Sequence, residues 1–192
     1  MTKAKKGNSP KGARMSHFVV YVFGENPEEQ LAPFNEDCQT LDKTNMKFQE
    51  ERGGCDIHED KLGYWSNPNA QWDWYELGGR WSNRFTLKDE GSLSKHGGRI
   101  VYWSGHKEKN EKETKTDQAK LKDIWINDIG YPWAFLHDGK WYEKGSMGWF
   151  GTSSHDEELG EEKQELQYRA KFIEVLLSLP EETLISNYDL HI

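Results

Sequence analysis

The chain has 192 residues, of which 34% are hydrophobic and 30% charged, and its net charge is −8. That length suggests one domain with room for long insertions. The low apolar content leans toward disorder, but nine Trp, eight Tyr and eight Phe can each bury a large area, so the composition points to a compact domain with an aromatic-rich core and long polar loops. The charge excludes a general nucleic-acid surface on the body, because phosphate contacts require clustered Lys and Arg. Such a cluster occurs in residues 1–14, which carry Lys3, Lys5, Lys6, Lys11 and Arg14 and no acid; setting those five cations aside takes the rest from −8 to −13. This leader reads as a disordered, solubilising segment, with weak nucleic-acid contact as the one partner it adds. Met15, just before the first strand, is a candidate start. Residues 15–192 read as a single domain. Cys38 and Cys55 form no CxxC pair, and no apolar run has the length of a signal or a membrane span. A reduced, cytoplasmic setting without a membrane is therefore expected, with one disulfide left open.

In chain order, His17 to Phe23 (HFVVYVF) reads as a buried strand. Asn26 is placed to cap a short helix, with Pro27 at its first position and Glu28 and Glu29 in its first turn. Residues 35–71 are polar, with Gly53-Gly54 and Asn67-Pro68-Asn69, and read as a long loop with one short element at most. Arg84 to Lys88 and Arg99 to Trp103 read as short strands, and residues 104–115 as a charged connection. A helix is expected from about Thr114, burying Leu121, Trp125 and Ile129 (or Ile124), with Gly130 as its left-handed cap. Trp133–His137, Asp138-Gly139 and Lys140–Glu143 form a strong β-hairpin signal, with a further strand over Met147 to Phe150. Glu165 to Leu179 is the clearest helix, with a stripe of Leu166, Ala170, Ile173 and Leu177 widened by Phe172 and Leu176. Thr183 to Ile192 reads as a final strand. This order predicts an α+β two-layer sandwich, a mixed or antiparallel sheet with helices on one face, ferredoxin-like with a long insertion.

The most informative stretch is Trp72-Asp73-Trp74-Tyr75-Glu76-Leu77-Gly78-Gly79-Arg80-Trp81. If residues 72–76 are extended, Trp72, Trp74 and Glu76 face one way and Asp73 and Tyr75 the other. Gly78-Gly79 allows a tight turn or a close backbone approach. Arg80 is able to clamp a carboxylate or phosphate bidentately, or to pair internally with Asp73 or Glu76. Two readings stay open. One is a pocket that stacks a planar group and holds an anion, chemistry that suits a nucleotide-like ligand. The other is an aromatic core with a buried ion pair and a glycine turn. A second Trp-rich stretch, Trp141 to Gly151 (WYEKGSMGWFG), is placed to form the opposite wall of the same cleft or an aromatic hairpin packed on the sheet.

No catalytic signature appears. The seven histidines show no HExxH or HxH spacing. His58-Glu59-Asp60, His137-Asp138 and His155-Asp156 contain metal-ligand types, but loop histidines beside acids are more often only solvated, so neither metal nor cofactor is expected. There is no GxSxG, no GxGxxG and no GxxxxGK[ST]. Asp73 and Glu76 form a loose acid pair of the kind able to serve acid–base chemistry.

The run Asn67 to Asn83 (NPNAQWDWYELGGRWSN) resembles a family of small uncharacterised proteins found chiefly in bacteriophages and prophages. An opening strand like Ser16 to Phe23, a segment like Glu28 to Phe34, a Gly-Lys-Trp-Tyr-Glu and Met-Gly-Trp-Phe-Gly region like residues 139–151, and an ending like Leu179 to Ile192 extend the similarity over most of residues 15–192. The resemblance implies a phage-type accessory protein acting in the host cytoplasm, and it carries over no catalytic residue. With that context the leading expectation is a non-enzymatic binding protein, an inhibitor of a host defence factor. The acidic body favours a host protein with a basic surface, and the aromatic-arginine motif an anionic nucleotide-like ligand. The alternatives are an enzyme acting on a phosphorylated or nucleotide substrate, with Arg80 on the anion and Asp73 or Glu76 as base or metal ligand, and a structural or assembly component.

Overall fold

The computed structural model describes residues 16–36, 46–88, 115–147, 153–154 and 160–192. Its centre is a mixed sheet built on β1 (His17–Phe23) and β13 (Leu184–His191), which pair antiparallel along their whole lengths, from His17↔His191 to Phe23↔Ile185. On the other side of β1 lies β9 (Ala134–His137), parallel to it, followed by its hairpin partner β10 (Lys140–Glu143). On the other side of β13 lie β5 (Trp74–Leu77) and β8 (Gln118–Lys120), which pair with successive halves of that strand. The fold is α+β, with two α-helices among the described residues, α1 (Pro27–Leu31) and α2 (Glu161–Ser178). A ferredoxin-like unit would insert a strand between the two parallel strands of its βαβ; here β9 lies directly beside β1.

Alternation along β1 builds two apolar layers. Val19, Tyr21 and Phe23 face α2 and meet Phe172, Val175 and Phe135, whereas Phe18, Val20 and Val22 face Leu31 of α1, Trp72 and Tyr188. The helices thus cover opposite faces of the sheet, where the sequence pattern suggested one. The buried stripe of α2 is Tyr168, Phe172, Val175 and Leu176, a 3.6-residue spacing, while Leu166 is 69% exposed and Ile173 and Leu177 are also exposed. The expected stripe is thus right only at its flank, where Phe172 and Leu176 are buried, and the helix is turned so that Tyr168 and Val175 join them in place of Leu166, Ala170, Ile173 and Leu177. Pro180 follows the helix end, and Leu179 is already extended.

Two further expectations are corrected. Residues 46–66 form a small antiparallel sheet and not a loop: β2 (Lys47–Glu50), β3 (Asp56–His58) and β4 (Lys61–Ser66), ordered β2-β4-β3. Phe48, His58 and Trp65 pack their rings together on it. The expected helix from Thr114 is instead β7 (Lys115–Thr116), paired with β6 (Phe85–Thr86), then β8 and two 3₁₀ turns at Leu121–Asp123 and Ile126–Asp128. Leu121, Ile124 and Ile129 are buried, whereas Trp125, also expected inside, is only partly buried. Gly130 has no left-handed backbone, and Asn26 caps α1 with no side-chain bond, taking a positive φ of 52° itself. The hairpin at Asp138-Gly139 forms as expected, with φ of 51° and 68°, the twist that suits a two-residue turn. A short ladder joins β11 (Ser146–Met147) to β12 (Ser153–Ser154). The expected strand 99–103, most of the connection 104–115, the residues 148–150 and the pair His155-Asp156 lie outside the described residues.

Candidate functional site at the end of the sheet

The ten-residue motif divides at Trp72. Strand β5 begins two residues later, and Trp72 instead bridges Asn35 while Asp73 N donates to His191 O at 2.9 Å. The alternation is broken there, so Trp72 shares the Tyr75 face (rings 5.1 Å apart, edge to face) and not the Trp74 face. Trp72 is 4% exposed and its Nε1 donates to Leu31 O at 3.1 Å. It is core, closed to any ligand. Trp81 packs against the layer under α2. Trp74 is the exception: the residue is 46% exposed.

The Gly78-Gly79-Arg80-Trp81 segment closes a 3₁₀ turn over β13. Both glycines have positive φ, and both lie against carboxylates: Gly79 against Asp189, Gly78 against Asp117. Their missing side chains let the backbone reach those acids. Arg80 N donates to Asp189 Oδ2 at 3.0 Å. Asp117 accepts from Asn83 N at 2.8 Å, Arg84 N at 3.2 Å and Asn187 Nδ2 at 2.8 Å, and Asn187 Nδ2 also donates to Trp81 O at 2.9 Å. Arg84 donates Nε to the Tyr21 hydroxyl at 2.9 Å; burial, foremost, holds that phenol above its ordinary value, with Arg84 opposing. Arg80 itself makes no ion pair with another described residue, neither with Asp73 nor with Glu76. The motif's arginine is held by its main chain and offers its guanidinium outward.

Histidines complete the site, and the sequence reading missed their part in it. His17 and His191 face each other across β1 and β13, with ring centroids 5.0 Å apart. His17 Nδ1 donates to Asp189 Oδ1 at 2.9 Å, and His191 Nδ1 to Asp73 Oδ1. Asp189 is 1% exposed, and both its oxygens are used. With Nδ1 donating, a neutral ring carries its lone pair on Nε2, and His191 Nε2 is buried with no partner. Trp74 lies edge-on to His17, centroids 6.0 Å apart. The signal available in the sequence was the alternation at both ends of the chain: His17 opens the first strand and Asp189 and His191 sit two apart on the last, all on one face.

Tyr75 and Leu77 point to the opposite face of β5. Glu76 shares the face of Trp74 and lies opposite Asp189 in register. The part of the second Trp-rich stretch on β10, Trp141 to Glu143, lies at the far edge of the sheet and forms no wall of this site. Trp141 packs against Phe34 across the sheet, where a shallow cleft of about 490 Å³ is lined by both of them with Pro68, Asn69 and Gln71. Among the described residues no group of three or more His, Cys, Asp or Glu is placed to hold a metal ion. His58 and Glu59 approach to 3.9 Å and His137 and Asp138 to 3.4 Å as isolated pairs. Cys55 is exposed and Cys38 lies outside the described residues. No described helix is long and apolar enough to cross a membrane. No protein-family model, curated protein or solved structure matches the chain.

Proposed function

We propose that this is a phage-type accessory protein that works as a non-enzymatic binding protein, inhibiting a host factor through the exposed end of its sheet. The observation that carries this reading is Trp74: it is 46% exposed on a central sheet whose other aromatics are buried or only partly exposed, and it lies on the face where the Gly79–Arg80 turn meets Asp189, with Arg80 itself exposed. Trp and Arg dominate binding energy where a rigid scaffold presents them. Here the scaffold is the His17–Asp189–Arg80 and His191–Asp73 bonding beneath them. The charge around Trp74 selects the kind of partner. The exposed carboxylates Asp73 and Glu76 outnumber Arg80, so a basic protein surface fits better than an anionic nucleotide-like ligand. Capture from a bacterial host lysate by the immobilised full chain, followed by affinity measurement on the purified partner, tests the reading. Trp74→Ala with Arg80→Ala is expected to weaken binding by about thirtyfold or more, the loss of one hot spot of about 2 kcal/mol. Unchanged affinity in the double variant would place the recognition surface elsewhere.

A second reading, an enzyme acting on a phosphorylated or nucleotide substrate, is favoured by one observation. A histidine oriented at Nδ1 by a buried carboxylate is the arrangement of a general base, and His17 has it. Release of nitrophenol from bis-nitrophenyl phosphate, abolished in His17→Ala and retained in Glu76→Gln, would put this reading in place of the first; no release by the wild-type chain counts against it.

A further inference from the structure

The outer edge of β5 is open among the described residues. Its inner edge is paired with β13, where Asp73 N donates to His191 O and Gly78 N to Asn187 O. The odd-numbered residues of β13 therefore turn their backbone groups toward β5. In the register Trp74↔His191 and Glu76↔Asp189, Trp74 and Glu76 use their N–H and C=O inward, and Tyr75 and Leu77 direct theirs outward. Exposed edges are normally blunted by Lys, Pro, a bulge or a covering element. Residues 74–77 contain no Lys and no Pro, and they expose Trp74 on one face and Leu77, 47% exposed, on the other.

Resting on the reading of the chain as a binding protein, we infer that β5 takes up an extended segment of its partner as an added antiparallel strand, and that this segment alternates Lys or Arg with apolar residues. The alternation follows from the two faces. The outward groups of Tyr75 and Leu77 bond the partner residues that lie opposite them, whose side chains share the Tyr75–Leu77 face, so these are apolar. The intervening residues lie on the Trp74–Glu76 face. There the Glu76 carboxylate and the Trp74 ring both favour a cation, and Asp73 adds a second carboxylate, half-exposed behind its bond to His191. Glu28 brings negative charge to the other face too; after burial, its carboxylate is what raises the Tyr75 phenol. The same charges disfavour a second copy of this chain. Its fullest pairing, Tyr75 against Leu77 of the copy, sets Glu76 directly opposite the same residue, and like charges directly opposed are destabilising.

A capped heptapeptide alternating valine and arginine, titrated into the full-length protein, tests this. Calorimetry is expected to show binding that weakens with salt, and hydrogen exchange to show new protection at the Tyr75 and Leu77 amides. N-methylation of the valine amides removes the donors that face β5 and should weaken binding by about tenfold or more; N-methylation of the arginine amides blocks the far edge and should leave it within about twofold. Glu76→Lys, an exposed position, should weaken the unmodified peptide several-fold. Equal loss from both methylated peptides, or no binding of the unmodified peptide at millimolar concentration, overturns strand addition. The broader reading fails separately, if capture of a host partner is indifferent to Trp74 and Arg80.

Discussion

Replacing Gly79 by alanine measures how tightly the glycine turn is seated on Asp189. Gly79 has φ +44°, and a methyl placed there would sit 2.6 Å from Asp189 Oδ2 and nearer still to its Cβ. An alanine in this left-handed region costs about 1–2 kcal/mol. The clash cannot be relieved cheaply. Asp189 is buried, with one oxygen bonded to His17 and the other to Arg80 N. Moving the turn away breaks the Arg80 bond to a charged acceptor, a further ~1.5–3 kcal/mol. The expected loss is about 3–5 kcal/mol, which at ~2–4 °C per kcal/mol for a domain of this size lowers Tm by roughly 10 °C. Two other glycines calibrate the assay. Gly139 has φ +68° with nothing within 4 Å, and Gly53 has open space and no positive φ. Gly139→Ala should cost about 1 kcal/mol and Gly53→Ala no more than ~0.5 kcal/mol. Urea unfolding of the three variants, followed by far-ultraviolet circular dichroism, ranks them. A Gly79→Ala midpoint equal to that of Gly139→Ala would refute the close seating of turn on carboxylate.

Other consequences follow from the same contacts. Trp72→Ala removes a buried indole and orphans Leu31 O, and should cost about 3–5 kcal/mol in urea unfolding; Trp72→Phe should recover the larger part. Asp117→Ala strands three donors at Asn83, Arg84 and Asn187 and should cost about 2–4 kcal/mol, with Asp117→Asn falling between it and the wild type. Burial first, then Glu28 and Tyr75, push the Tyr188 phenol up to about 12, and burial raises Tyr21 as well. The folded state thus holds these protons more tightly than the unfolded chain. Their contribution is full below the ordinary phenol value of ~10 and is lost as pH climbs toward 12, so unfolding midpoints should fall through that window. Absorbance at 295 nm should show Tyr188 ionising late; ionisation at the ordinary value in the folded protein would contradict its burial.

What the sequence made legible was carried by strong local chemistry. The run of β-branched and aromatic residues at 17–23, the Asp138-Gly139 turn and the proline after the last helix each specify one local structure, and each element formed where expected. What it concealed was set by tertiary context. The turn at Glu59 and Asp60 takes positive φ at both residues without a glycine, so the hairpin of β3 and β4 carries no Asn-Gly or Asp-Gly signal. The stretch after Lys115 has helical spacing, yet β13 offers it a free edge, and Asp117 serves the glycine turn in place of a helix start. On α2 two apolar stripes compete, and only the sheet beneath decides between Leu166 and Tyr168. The candidate site was half visible. The motif drew notice to Trp74 and Arg80, but one break in alternation at Trp72 sent that ring to the core. The partners His17, Asp189 and His191 lie more than a hundred residues from the motif or at the opposite end of the chain, and only the pairing of β1, β13 and β5 brings them to it.

The proposed function divides the ten residues: Trp72 and the glycine pair build the fold, and Trp74 and Arg80 would meet the partner. Affinity of the Trp74→Ala/Arg80→Ala variant for the captured partner, measured beside its own Tm, tests that division most directly. The expected result is a Tm within about 2 °C of wild type, since exposed side chains are being trimmed, together with a loss of about thirtyfold or more in affinity. Intact affinity, or a fall in Tm as large as that of Trp72→Ala, would contradict it.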